Sequence, residues 1–368
     1  MTAVMATYES DTIARLLRMP AGDRDVHWLR EALQQALLLE IATIPPYSSA
    51  LWSIDLTADH GAGGSGIHHD IREIIFDEMS HLGLVCNMLT TIGGTPLIAH
   101  EEVVPKYPGP LPGGVRPCIR AFLSGLNRDA LELFSEIEKP EHPVVSRAFE
   151  EGETEGETYT SIGLFYDAVL AAFRNLSPDD ITGERQVTFP LGTKHGEGND
   201  ILPLENIDAV AKAIEIIKEQ GEGTGTSPEN PFPGREGEFS HYYTFRQMFH
   251  GRELVKNATT GKWEFTGPAI TLPRTHPVAV VPRGGWQSDP VNRPDDATQA
   301  LLHRFNETYT DMLQALQDAW VTEDGMGPIG QAIGAMGKMR EIAARIVVIP
   351  LPDGSGRTYG PEFLYRRR

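Results

Sequence analysis

The chain has 368 residues, 40% of them apolar, with 32 Lys+Arg against 51 Asp+Glu and a formal net charge of −19. That length supports a substantial core, and the acidic balance argues against nucleic acid or an anionic membrane as a partner. Two cysteines, Cys86 and Cys118, are too few for a disulfide framework or a thiolate cage, and neither a signal-peptide core nor a run of about 18 apolar residues is present, so the expectation is a soluble, cytoplasmic protein.

Periodicity predicts a first long helix over about 25–44, with Leu29, Leu33, Leu37, Glu40 and Ile44 on one stripe. Pro45 and Pro46 each lack a backbone donor, so the helix is expected to bend or break one turn past Glu40, and 47–54 to continue beyond the bend. GAGGSG at 61–66 reads as a loop, without the Lys-Ser/Thr of a phosphate loop. A second helix spans about 68–91, its stripe carrying Ile71, Ile74, Glu78, His81, Val85 and Met88, with Gly93-Gly94 and Pro96 as its stop. A Pro-rich crossover follows, then short helical patches near 117–126 and 129–138.

A third long helix is expected over 146–176, ending before Ser177-Pro178, with Glu157, Ser161, Leu164 and Phe165 on its face. Residues 207–220 read as an amphipathic helix and 221–234 as a loop. The next helix is placed from Gly237, with Glu238, His241, Phe245 and Met248 on one stripe. The segment 262–290 suggests two short strands, and helices at about 295–320 and 327–347 close the chain. The division expected is a helical-bundle domain with long insertions at 20–260 and a C-terminal extension of short strands and two helices at 261–368. The fold class is mainly α.

Four predicted helices thus place ionisable side chains inside apolar stripes: Glu40; Glu78 with His81; Glu157; and Glu238 with His241. Glu and His three residues apart lie one turn apart on nearly one face. One Glu from each of two helices plus Glu-x-x-His from each of two others is the ligand set of a carboxylate-bridged dimetal site in a four-helix bundle. Four converging buried carboxylates would repel and cost several kcal/mol each, whereas two divalent cations balance them. Oxygen and nitrogen donors suit iron or manganese, with zinc also compatible and soft copper(I) less favoured. Each Glu-x-x-His alone is a weak signal; the strength lies in the order E, ExxH, E, ExxH on apolar stripes. Glu40 competes with a reading as an exposed cap beside Pro-Pro, and Glu157 with the other acids of EEGETEGETYTS, Glu153 being the fallback. Tyr47, Ser161, Tyr242 and Arg246 are candidate pocket residues, with Thr158, Tyr243 and His250 as weaker ones. No catalytic residue beyond the metal ligands is assigned.

EIATIPPYSSALWSI at 40–54, DEMSHLGLVCNMLTTIGGTP at 77–96 and EFSHYYTF at 238–245 resemble the ferritin-like domain of the iminophenyl-pyruvate dimer synthase family, known from violacein- and rebeccamycin-type bisindole biosynthesis. SEIEKPEHP at 135–143 resembles it too, and the likeness runs from about residue 25 to 260. It implies a ferritin-like four-helix bundle and a metal-dependent oxidation of an amino-acid-derived or aromatic intermediate of secondary metabolism, with Glu40, Glu78, His81, Glu157, Glu238 and His241 as ligands. The expectation is therefore a di-iron oxidoreductase with dioxygen as co-substrate and a small-molecule substrate, as a homo-oligomer or beside a biosynthetic partner enzyme. The alternative is a metal-storage or metal-stabilised bundle with no organic substrate.

Overall fold

A computed structural model describes residues 10–58, 61–141, 143, 162–191, 200–224, 226–323 and 325–367, with backbone alone at 61–65. Among these residues nine α-helices carry the architecture, with three two-residue hairpin sheets in the connections. None of these helices is long and apolar enough to cross a membrane.

Helix α1 is Thr12–Leu17, α2 is Val26–Trp52 and α3 is Gly61–Thr91. Asp25 starts α2 by accepting the backbone N–H groups of His27 and Trp28, two of the donors that a helix start leaves unpaired. The expected break at Pro45-Pro46 does not occur: α2 runs through both prolines to Trp52. Proline at 46 deprives the Ala42 carbonyl of its helical donor, and the Tyr107 hydroxyl donates to that carbonyl instead, at 2.6 Å. The loop expected at 61–66 is likewise corrected, since α3 begins at Gly61. The glycines lower helix propensity by about 1 kcal/mol each, a cost that the long apolar face further along α3 outweighs.

α4 is Arg128–Glu138, capped by Asn127, which accepts from Ala130 N–H. The helical patch expected at 117–126 is absent; strand β2, Arg120–Ala121, pairs there with β1, Gly109–Pro110. α5 is Ile162–Phe173 and α6 is Ile207–Glu222, with the hairpin of β3, Phe189–Pro190, and β4, Asp200–Ile201, between them. Of the helix expected over 146–176, residues 146–161 lie outside the described residues. α7 is His241–His250, and β5, Val255–Lys256, pairs with β6, Trp263–Glu264. The stretch read as two strands at 262–290 holds β6, isolated bridges and a short 3-10 turn at Trp286–Ser288. α8, Asp296–Val321, and α9, Met326–Ile346, form a closing helical pair.

The packing pairs α2 with α3, α4 with α7, and α5 with α6; α2 also touches α4 and α5, and α3 touches α6 and α7. One contiguous apolar core runs through these helices and out to α8 and α9. Buried polar side chains on α2, α3, α4 and α7 consequently face a common interior.

Candidate metal centre

Glu40 on α2, Glu78 and His81 on α3, Glu138 at the end of α4 and His241 at the start of α7 are all buried, none more than 7% exposed. They form two overlapping triads: Glu40, Glu78 and His81, and Glu78, Glu138 and His241. Within each triad one donor atom per residue lies within 4.8 Å of the others. Glu78 belongs to both, placing it between the two positions.

The two histidines are held in the same way. His81 Nε2 is 2.7 Å from Gln220 Oε1 on α6, which fixes Nε2 as the donor. Nδ1 of that ring then faces Glu40 Oε2 at 3.6 Å and Glu78 Oε1 at 3.8 Å. His241 Nε2 donates to Asp77 Oδ2 at 3.2 Å, and Nδ1 faces Glu78 Oε1 at 3.0 Å and Glu138 Oε2 at 3.8 Å. That Nδ1 is buried and makes no hydrogen bond of proper geometry. The rings lie 5.8 Å apart, 29° from parallel.

The carboxylates are anchored from outside as well. Tyr166 on α5 donates to Glu40 Oε1, Tyr47 donates to Glu138 Oε1, and Thr43 donates to Glu78 Oε2 at 2.7 Å. Each carboxylate keeps its other oxygen for the interior. Asp77 is committed elsewhere: both of its oxygens accept from the Arg235 guanidinium, at 2.7 and 2.8 Å. Burial alone would push the Asp77 carboxyl up, making it a weaker acid, yet the hydrogen bonds from His241 and Arg235 hold it below the usual carboxylate range.

Burial, and then the charge of Glu138, push Glu78 up to about 7. Burial opposes a charge on His241, but Asp77, Glu138 and Glu78 together raise it well above an ordinary histidine. His81 is raised likewise by Glu40 and Glu78 against its burial. Mixed oxygen and nitrogen donors, inward Nδ1 atoms and outward anchored Nε2 atoms are the features that a divalent metal needs. The residues present therefore fit a two-metal site.

A cavity of about 30 Å³ touches Glu40, Thr43, Glu78, His81 and Glu138 and extends toward Gly163, Gly221 and Glu222. It has room for a water or a diatomic molecule. Side chains come close to both glycines: a Cβ at Gly163 would sit 2.6 Å from Glu222 Oε2, and one at Gly221 3.3 Å from Glu138 Oε2, so either would make a carboxylate shift.

Of the six ligands expected from sequence, Glu40, Glu78, His81 and His241 are brought together. Glu157 lies outside the described residues, as do Ser161, Thr158 and Glu153. Glu238 is a correction. Helix α7 begins at His241, with Ser240 as its cap residue and Gly237 at φ +85°, so Glu238 and His241 do not share a helix face. Glu238 instead pairs with Arg235 Nε at 2.7 Å, its side chain 37% exposed. Sequence reasoning missed Glu138 as a ligand candidate, although Leu131, Phe134, Ser135 and Glu138 make the same kind of stripe that singled out Glu40. Among the pocket candidates, Tyr47 reaches the centre through Glu138. Tyr242 and Tyr243 pack together with Leu254, Trp263 and Phe265 in a separate apolar cluster. Arg246 lies over the Phe249 ring and His250 stacks on Phe265, so neither joins the centre.

A family model described as Ferritin-like matches residues 33–250. A crystal structure of a ferritin-like protein from Caulobacter vibrioides superposes with a TM-score of 0.55 at 19% identity, covering 90% of this chain and 97% of that one, a likeness of fold. No curated protein matches the chain.

Proposed function

This chain belongs to the ferritin-like family, and from its buried Glu–His cluster we propose that it is a dimetal-dependent oxidoreductase, with iron as the first expectation, that uses dioxygen to oxidise an amino-acid-derived or aromatic small molecule. The observation that carries this reading is Glu78, shared by two triads that each end in a histidine whose Nδ1 faces inward.

Two iron or manganese ions bound there would supply the electrons for reducing dioxygen. Glu40 and His81 would hold one ion, Glu138 and His241 the other, and Glu78 would contribute to both. The chain's own work is to keep these groups in place and dry. Tyr166 and Tyr47 pin the outer oxygens of Glu40 and Glu138, so neither carboxylate is free to swing into solvent. Gln220 and Asp77 fix which ring nitrogen of each histidine carries the proton. Gly163 on α5 and Gly221 on α6 line the 30 Å³ space beside the Glu222 and Glu138 carboxylates. The organic substrate class rests on the sequence resemblance.

The test is elemental analysis of protein produced with iron supplementation, followed by oxygen-electrode measurements with candidate aromatic amino-acid-derived substrates. About two metals per chain and substrate-dependent oxygen uptake, lost in Glu78→Ala, are expected. Two metals without any substrate-dependent uptake would support a storage or structural bundle instead. Full metal occupancy in Glu78→Ala and His241→Ala would overturn the site.

A further inference from the structure

The two triads are anchored alike on their carboxylate side and differently behind their histidines. Tyr166 donates to one oxygen of Glu40 and Tyr47 to one of Glu138, so the carboxylates unique to each position have equivalent support. Behind His81 stands a neutral amide, Gln220 Oε1, 2.7 Å from Nε2. Behind His241 stands a carboxylate, Asp77, whose Oδ2 accepts from Nε2 at 3.2 Å. Asp77 is 1% exposed and Arg235 4%. The guanidinium holds both Asp77 oxygens, at 2.7 and 2.8 Å, and its Nε donates to Glu238. The His241 ring thus touches the anionic member of a buried ion pair, and the guanidinium keeps that carboxylate from turning away.

A carboxylate on the outer N–H makes an imidazole a stronger donor to a cation than an amide does, because it stabilises the positive charge that metal binding places on the ring. Access separates the two positions as well. The 30 Å³ cavity touches Glu40, Glu78 and His81, every member of one triad, whereas His241 and its support Asp77 do not line it. Ionic backing and seclusion therefore fall on the same position, and neutral backing and access on the other.

We propose that the two metal positions are unequal by construction: the His241 position, backed by the Asp77–Arg235 pair, fills first and retains its ion, and the His81 position, beside the cavity, is the weaker and exchangeable one. The proposal deepens the dimetal reading and rests on it. Asp77 and Arg235 are positioning residues that act through His241, and completion of the centre depends on the supply of metal to the His81 side.

Cobalt(II) serves as the probe, added without oxygen to the full chain stripped by chelator, with visible absorption and a competing chelator reading each binding step. His81→Ala leaves the His241 position and His241→Ala leaves the His81 position, so repulsion between two ions does not enter the comparison. The site kept by His81→Ala is expected to be about tenfold tighter, or more, than the one kept by His241→Ala. Adding Asp77→Asn to His81→Ala makes both supports neutral amides and should bring that site down to the strength of the other. In the parent loaded with two cobalt ions, a zinc chase should displace one ion well before the second. His81→Gln and His241→Gln, which keep a polar group in place of the ring, carry the same comparison should an alanine variant fail to fold. Equal sites in the two variants, the reverse order, a His81→Ala site indifferent to Asp77→Asn, or a chase that displaces both ions together would overturn the proposal and leave the dimetal reading intact. No cobalt uptake by the parent would overturn both.

Discussion

Asp77 accepts a hydrogen bond from Nε2 of His241 at 3.2 Å across a sequence separation of 164 residues. The same carboxylate takes both arms of the Arg235 guanidinium, so one residue of α3 fixes the ring at the start of α7 and the chain just before it. An imidazole whose outer nitrogen is a committed donor presents its other nitrogen as a lone pair, the form that binds a cation.

Asp77→Asn should therefore act selectively. The side chain keeps its shape but loses the charge that holds Arg235 and orients His241. Metal affinity at the His241 position is expected to fall about 10- to 100-fold, while the His81 position, anchored by Gln220, is spared. Titration against a competing chelator would show this as one site weakened relative to the parent while the other keeps its parental strength. Two sites of parental strength would refute the role assigned to Asp77.

Glu138 and Glu238 make opposite predictions. Glu138 is buried, with one oxygen held by Tyr47 and the other 3.8 Å from His241 Nδ1, so Glu138→Ala should lower metal content and oxygen turnover together. Glu238 is a partly exposed partner of Arg235. Glu238→Ala should leave two metals per chain and cost about 0–1 kcal/mol of stability. Elemental analysis of the two variants side by side decides the matter. Loss of metal from Glu238→Ala with retention in Glu138→Ala would restore the ligand set expected from the sequence.

That contrast shows what was legible in the sequence. Glu40, Glu78 and His81 could be read because each interrupts a long apolar stripe on an uninterrupted helix, where burial follows from spacing. The mainly helical class and the closing pair α8 and α9 were legible for the same reason. Glu238 was misplaced because three-residue spacing carries meaning only inside a helix, and Gly237 and Ser240 put the start at His241. Glu138 was within reach, but its helix is short and also carries Glu132 and Glu136. The partnerships of Asp77, Gln220, Tyr47 and Tyr166 have no local signature, since each joins residues far apart in the chain.

Tyr107→Phe tests how α2 tolerates two internal prolines. The Ala42 carbonyl receives the Tyr107 hydroxyl where a helical N–H is missing at Pro46, and both groups are buried. Removing the hydroxyl leaves that carbonyl unpaired at a cost of about 1–3 kcal/mol. Urea denaturation should show a lower midpoint with an unchanged slope. Because Glu40 sits on the same helix just before Ala42, metal affinity should weaken too. A midpoint matching the parent would mean that the carbonyl finds another donor.

Glu222 gives the fold a definite pH dependence. Burial pushes its carboxyl up to about 7, against the hydrogen bond that it accepts from Gly163 and the charges of Arg116 and Lys218. Below the unfolded value of 4.5 the group is protonated in both states and contributes nothing. As pH rises from there toward 7, the unfolded chain ionises while the folded chain keeps its proton, so the native state binds more protons and stability falls. Above 7 the full penalty is present, at most about 3 kcal/mol. Glu222→Gln retains an oxygen for the Gly163 N–H and cannot ionise. Its stability relative to the parent should be near zero at pH 4.5 and grow through pH 7 before levelling. Chemical denaturation of both proteins over that range, with chelator present so that metal binding does not enter, would show the divergence. Parallel curves would mean that folding leaves the Glu222 carboxyl unshifted.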